Sequence, residues 1–258
     1  MATGTALVTG ASAGLGAEFA RQLAARGLNL LLVARREERL KELAHELGAA
    51  HGVRVDVFAA DLGEPLAPAR IEAFAAEQEL RVDWLVNNAG VAGPDLLEDR
   101  DWDAQARFFE LMMTSVAQMC HRFVPGMRER GFGRVINVSS FAGRLARPAG
   151  ANYGPAKAYL VALSEELALI LRGSGVHVSA LCPGFTHTDF HEAAGLMEMK
   201  RGLPGFLWYD AATVVREGID AVERGAPIRI SGRLYRWLDP LAQSVWVRPL
   251  LKALAPGR

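Results

Sequence analysis

Short runs of Val, Leu, Ile and Ala alternate along this chain with longer stretches whose apolar positions recur every three to four residues. The short runs fall at residues 6–9, 29–34, 53–59, 83–87, 133–139 and 176–181, with a shorter candidate at 228–231. Near-continuous apolar composition is what a strand needs when both of its faces meet helices. The longer stretches predict helices over 17–26, 37–50, 68–79, 102–130 (interrupted near Pro125) and 154–173. In the first of these, Phe19, Ala20, Leu23 and Ala24 share one face. Repeated strand–helix alternation predicts an α/β fold, doubly wound and Rossmann-type, with a parallel sheet of about seven strands and right-handed crossovers. No internal repeat, low-complexity tract or linker interrupts the pattern, so residues 1–258 are expected to form one domain.

Ligands of such sheets bind outside the carboxyl ends of the strands, where strand order reverses. The polar and glycine-rich residues of this chain follow strand ends. Residues 10–16 follow the first strand, Arg35 and Arg36 the second, Asp61 the third and residues 87–90 the fourth. Ser139 and Ser140 follow the fifth, and Pro183 with Gly184 the sixth. Core packing does not explain six such placements on one rim.

Composition narrows the classes. The 258 residues are half hydrophobic, enough for one sizeable core. Lys+Arg and Asp+Glu both total 29, so no basic surface for nucleic acid is indicated. Cys120 and Cys182 lie in apolar stretches and read as buried free thiols rather than a disulfide framework. The chain start has no basic n-region or apolar h-region, and no apolar run is long enough to span a bilayer, so a cytoplasmic protein is expected.

The segment Thr9-Gly-Ala-Ser-Ala-Gly-Leu-Gly16 joins a predicted strand to a predicted helix. Glycines there allow a tight turn and close backbone approach to a pyrophosphate, and the helix N-terminus offers free N–H groups. Gly10, Ser12, Gly14, Leu15 and Gly16 are the candidate phosphate-binding residues. An acid after the second strand would hydrogen-bond a ribose 2′-hydroxyl and repel a 2′-phosphate. Arg35 and Arg36 stand there instead, and guanidinium pairs well with phosphate, so NADP(H) is expected, with NAD(H) also accommodated. Arg35 is the first choice of contact; for Arg36 a solvated charge at a helix start is an equal reading. Tyr153 and Lys157 are four apart at the start of a helix and share a face. Carbonyl reduction needs a proton at oxygen as hydride reaches carbon. A free phenol, with a pKa of about 10, is a poor base at neutral pH, and a neighbouring ammonium favours the phenolate.

These segments, together with Asn87-Asn-Ala-Gly90, Ser140 and Pro183-Gly184 in the same order, resemble the short-chain dehydrogenase/reductase family. The resemblance covers nearly the whole chain and weakens after about residue 190. It implies a carbonyl or alcohol as substrate, with Ser140, Tyr153 and Lys157 as the catalytic residues. Ser140 would bind the substrate oxygen and Lys157 would also hold the nicotinamide ribose, while Ser139 is assigned to structure. Asp61, with Leu62 beside it, resembles the adenine contact, although a helix-initiating Asp is also a sufficient role. Asn88, Ala89 and Gly90 resemble the segment lining the adenine ribose, and Asn87 is expected to brace the sheet. Pro183, Gly184 and Thr186 resemble the nicotinamide carboxamide segment, and Thr188 a pyrophosphate contact. Ala13 departs from the basic residue that often precedes the middle glycine, which leaves NADP selectivity partial. Met112 stands where the family usually has an Asn that holds a water linking the Lys to solvent. Met112 either packs only, or the relay is rerouted through Ser115 or a backbone carbonyl.

The resemblance also implies a substrate loop at about 185–210, and a homodimer or homotetramer built on the helices near 102–130 and 154–173. Leu196, Met197, Met199, Leu203, Phe206, Leu207 and Trp208 give that loop an apolar wall, suited either to a lipophilic substrate or to packing of a lid. His187, His191 and Glu192 read as surface-loop residues in preference to a metal site. Arg144 and Arg147 either face an anionic substrate tail or are solvated. The C-terminal tail, about 233–258, mixes Trp237, Trp246, Val247, Leu250 and Leu251 with Arg236, Arg248 and Lys252. Such a segment fits a membrane surface, a subunit interface or a cover over the cleft. An epimerase or dehydratase, which can share the Tyr-x-x-x-Lys pair, and a non-catalytic nucleotide-binding regulator are the competing readings.

Overall fold

The structure, a computed structural model, describes residues 4–145, 151–187, 204–247 and 249. Seven parallel strands form the central sheet: β1 (Thr5–Thr9), β2 (Asn29–Ala34), β3 (Val55–Ala59), β4 (Val82–Asn87), β5 (Gly133–Val138), β6 (Val176–Cys182) and β9 (Ile228–Ile230). Their order is β3-β2-β1-β4-β5-β6-β9. The chain winds outward from β1 in both directions, so the order reverses between β1 and β4. The register Val8↔Leu32 on one side and Val8↔Val86 on the other brings the ends of these three strands to one rim. The doubly wound α/β prediction stands.

Each strand supplies both faces. On one face Ala6 and Val8 pack with Leu30 and Leu32 against Phe19 and Leu23 of helix α1 (Gly14–Ala24) and Leu40 of helix α2 (Glu37–His51). Val215 and Ile219 of a later helix, α7 (Ala211–Glu223), complete that layer. On the other face Leu7, Leu31 and Leu85 pack against Ile71 of α3 (Ala67–Glu77), Met119 of α5 (Ser115–Glu129) and Leu160 of α6 (Tyr153–Ile170). Full burial of each such Leu or Phe is worth ~1.5–3 kcal/mol, which makes these two layers the main source of stability.

Four sequence expectations need correction. The long helix is not interrupted near Pro125, which lies inside α5. The irregularity comes earlier: α4 (Trp102–Phe109) leads into a π-helical turn, Glu110–Thr114, which runs into α5. The wide turn leaves the Leu111 carbonyl with spare capacity, and the Ser115 hydroxyl donates to it at 2.8 Å. The third strand begins at Val55 rather than residue 53. The 185–210 segment also holds two short strands, β7 (Phe185–His187) and β8 (Trp208–Asp210), paired in parallel. Finally, α7 and a helix α8 (Arg233–Gln243) follow, neither of which the apolar periodicity had separated out.

Candidate active site

The strand ends at the β1/β4 switch point are tied together before any ligand is considered. Thr9 Oγ1 donates to the Val86 carbonyl at 3.2 Å and accepts from the amides of Asn88 and Ala89, at 2.9 and 3.1 Å. The Asn88 side chain donates to the carbonyls of Thr9 (3.0 Å) and Gly10 (3.3 Å). Its amide group therefore holds the crossing in place, and only its backbone faces outward with Ala89 and Gly90. Deeper in, Asn87 donates to Asn137 at 2.8 Å, the bracing role expected of it.

The glycine loop runs from β1 to α1. Gly10 has φ +66, and a Cβ there would lie 2.9 Å from the Ala89 Cα. A Cβ on Gly16 would stand 2.2 Å from the Gly10 carbonyl oxygen. No side chain can be accepted at either place, so the loop folds tightly back on itself. Ala13 at the head of α1 supplies no side-chain cap, and the first turn carries no acid. The first amides of α1 are left to water or an anion, at the positive end of the helix dipole. Ser12 Oγ accepts from Arg36 Nε and Nη2 at 3.2 and 3.0 Å. Arg35 lies 4.0 Å from Asp61 and is largely exposed. The two guanidinium groups thus flank the loop from the end of β2. Asp61 also accepts from the Gly63 amide at 2.9 Å, a turn-forming role compatible with a second contact, and Leu62 is buried beside it.

Ser140, Tyr153 and Lys157 meet at the carboxyl end of β5. Ser140 opens a short 3-10 turn, Phe141–Gly143, and its Oγ accepts from the Ala142 amide at 3.1 Å. That turn rests on α6: a Cβ on Gly143 would lie 2.7 Å from the Lys157 carbonyl carbon. Ser139 Oγ donates to the Lys157 carbonyl at 2.6 Å, the structural task foreseen for it. Lys157 Nζ donates to the Val138 carbonyl at 2.8 Å and stands 5.7 Å from the Tyr153 ring centroid. Burial pushes the Lys157 ammonium down to about 8. Immediately before Tyr153, the buried Asn152 side chain donates to the Pro94 carbonyl and to the Gln105 amide oxygen. Gln105 in turn donates to the Asp95 carbonyl. This clasp between α4 and the head of α6 carried no sequence signal, because isolated amides in a helix pattern read as solvated.

Met112 sits at the centre of the π-helical turn, 1 % exposed, in a cluster with Phe108, Ala156 and Tyr153. Its sulfur accepts from the Val91 amide at 3.4 Å. A Cβ on Gly90 would lie 3.2 Å from that sulfur and 3.6 Å from Lys157 Nζ. Met112, Gly90 and Lys157 therefore border one another. The Ser115 hydroxyl donates to Leu111, which removes it as the substitute donor beside Lys157.

Across the site, Thr186 is buried and donates to the Gly184 carbonyl at 3.1 Å. A Cβ on Gly184 would strike the Tyr235 ring at 2.0 Å, so this glycine after Pro183 is required by packing. The Tyr235 hydroxyl donates to Leu207 at 3.0 Å and accepts from the Phe185 amide at 3.3 Å, clipping β7 and β8 to α8. His187 stacks on Trp208, with centroids 5.2 Å apart. Thr188, His191, Glu192, Leu196, Met197, Met199 and Leu203, like Arg147, lie outside the described residues. Arg144 does not face a substrate tail. It makes a two-pronged bond to Asp239 of α8, 2.8 Å at each prong, because the helix brings a half-buried carboxylate against it. Both cysteines are buried and free, and desolvation pushes each thiol up to about 12.

A sequence profile of the family described as short chain dehydrogenase matches residues 4–198. Sulfoacetaldehyde reductase 2 of Chromohalobacter salexigens is 35% identical over 186 residues, covering 71% of this chain and 73% of that protein. A short-chain dehydrogenase from Sphingobium yanoikuyae, solved in complex with NADPH, superposes with a TM-score of 0.81 at 30% identity, over 98% of this chain and 96% of that one. The bulky-bulky ketone specific alcohol dehydrogenase of Comamonas testosteroni gives 0.78 at 27% identity, over 99% and 96%. The chain belongs to the short-chain dehydrogenase family.

Proposed function

We propose that the protein is an NADP(H)-dependent oxidoreductase that reduces the carbonyl of a small lipophilic substrate, or oxidises the matching alcohol, with Tyr153 as acid/base. The observation that carries this reading is the convergence of Ser140, Tyr153 and Lys157 beside Gly90, on the rim where the glycine loop lies. The loop fits a dinucleotide: its glycines leave no room for side chains, and its helix terminus is uncapped. Gly10, Ser12, Gly14, Leu15 and Gly16 would hold the pyrophosphate, and Arg35 with Arg36 a 2′-phosphate. Asp61 and Leu62 would meet the adenine, the backbone of Asn88, Ala89 and Gly90 the ribose, and Pro183, Gly184 and Thr186 the carboxamide, with Thr188 as a further phosphate contact. The Sphingobium relative's complex with NADPH supports the same cofactor here.

NADP(H), when bound, supplies the hydride in one direction and takes it in the other. In reduction the Tyr153 hydroxyl delivers its proton to the substrate oxygen as that oxygen gains charge. Lys157, an ammonium at neutral pH, stabilises the phenolate left behind. Ser140 Oγ donates to the same substrate oxygen while still accepting from Ala142. Phe185 and Trp208, with ring centroids 5.1 Å apart, give the far wall an apolar surface. With Arg144 held by Asp239, that cation is withheld from an anionic tail. Exposed Tyr159, Leu169 and Ile170 along α6 support assembly into a homodimer or homotetramer through that helix.

A panel of ketones followed by NADPH absorbance tests the activity, and the two arginines test cofactor choice. Replacing both Arg35 and Arg36 with Ala should raise KM for NADPH by about 10- to 100-fold, the loss of one or two charge-assisted phosphate contacts, and leave KM for NADH nearly unchanged. An equal change for both cofactors would remove these residues from phosphate recognition. For Met112, a substitution with Asn should keep or raise turnover. The Asn oxygen can accept from the Val91 amide more strongly than a thioether does, and its NH2 adds a donor beside Lys157. A large loss of turnover with the fold intact would count against that view.

A further inference from the structure

Helix α8 is amphipathic in the reverse sense for a helix packed on a domain. Its polar side chains face inward: Arg236 bonds Glu217 at 2.9 Å, Asp239 bonds Arg144, and Gln243 donates to the Arg144 carbonyl. Apart from buried Tyr235, its large apolar residues face out. Trp237 is 78 % exposed and Leu241 55 %, and the patch continues past the helix to Trp246 at 87 %. Soluble domains rarely leave contiguous large side chains in water, and here the inward ion pairs hold the helix in that orientation. The charge of this segment is also unbalanced. Residues 233–258 carry five cations (Arg233, Arg236, Arg248, Lys252 and Arg258) and one anion, Asp239, a net of +4 in a chain whose total is zero.

We propose that this outward face is a docking surface for an anionic phospholipid bilayer, on which the protein sits peripherally. Exposed tryptophans suit the headgroup level, where an amphipathic ring is most stable, and cations beside them meet acidic lipid headgroups. No described helix is long and apolar enough to cross a membrane, so the contact is one of lying on the surface. A second copy is the less suited occupant, because a two-fold contact would set one +4 segment against another.

The test is flotation of the full-length protein with phosphatidylcholine vesicles, with and without phosphatidylglycerol, at low and high salt. The expected result is partition into the anionic vesicles only, reduced by salt, with a blue shift of tryptophan emission. The double substitution Trp237→Ala, Trp246→Ala should lower that partition by about tenfold or more, without changing the thermal midpoint or the ketone-reducing turnover, since both side chains stand in solvent. A charge variant, Arg233→Glu with Lys252→Glu, leaves the apolar face intact and should also lose about tenfold. Equal partition into neutral and anionic vesicles, or partition unaffected by both variants, overturns the proposal. So does light scattering that shows the tryptophan variant dissociating a dimer while the parent ignores vesicles, since the face then belongs to a second copy.

Discussion

Replacing Tyr153 with Phe is expected to lower turnover in NADPH-dependent ketone reduction by about 10²- to 10⁴-fold, the usual worth of a positioned acid/base. The substitution removes one oxygen and keeps the ring in its cluster with Met112 and Phe108. Its effect on packing should therefore be small, and the thermal midpoint serves as the control. The residual rate reports what Ser140 and the bound geometry still provide. Because Lys157 is gripped through Nζ by Val138 and through its carbonyl by Ser139, the helix turn carrying both residues stays in place when the phenol oxygen is lost. Cofactor affinity, read by fluorescence titration, should change far less than turnover. Turnover unaltered by the change would sink the catalytic assignment.

Gly16→Ala should act on binding and on the fold together. The added Cβ would stand 2.2 Å from the Gly10 carbonyl oxygen and 2.6 Å from the Asn88 side-chain nitrogen. The first of these is backbone, in a loop pinned by Thr9 and Asn88, so it cannot yield without opening the β1/β4 crossing. A destabilisation of about 1–3 kcal/mol, the range for overpacking, is expected in urea unfolding, with NADPH affinity down on the order of 100-fold. Gly48→Ala provides the contrast. That residue lies within α2, and its Cβ would meet nothing closer than the Val53 carbonyl at 3.6 Å. Here Ala should stabilise by up to ~1 kcal/mol, from helix propensity alone. If both variants behaved alike, the crowding at Gly16 would not be the cause.

The strands of the sheet were legible in the sequence because burial on both faces leaves little but Val, Leu, Ile and Ala between one rim and the other. The family followed from motifs in register, and the matched profile bears it out. What the sequence hid has a common physical origin: polar groups satisfied by partners far away in the chain. Arg144 read as a free cation until Asp239, 95 residues on, was placed beside it. Ser115 read as a candidate donor, whereas the π-helical turn consumes its hydroxyl. Pro125 suggested a break, yet α5 tolerates it, while the true irregularity lies at Glu110–Thr114, where no proline or glycine marks it. Helix α8 was read as a tail because the large side chains of its amphipathic pattern face solvent.

The parallel pair β7/β8, clipped to Tyr235, fixes the point where residues 188–203 leave the sheet rim and the point where they rejoin it. Both anchor points belong to the scaffold and not to the intervening stretch. That stretch is therefore an exchangeable cassette: segments of other lengths and compositions can be spliced between His187 and Pro204 while the proton-handling residues keep their positions. Substrate range and chemical step can then vary separately, in the laboratory as in descent.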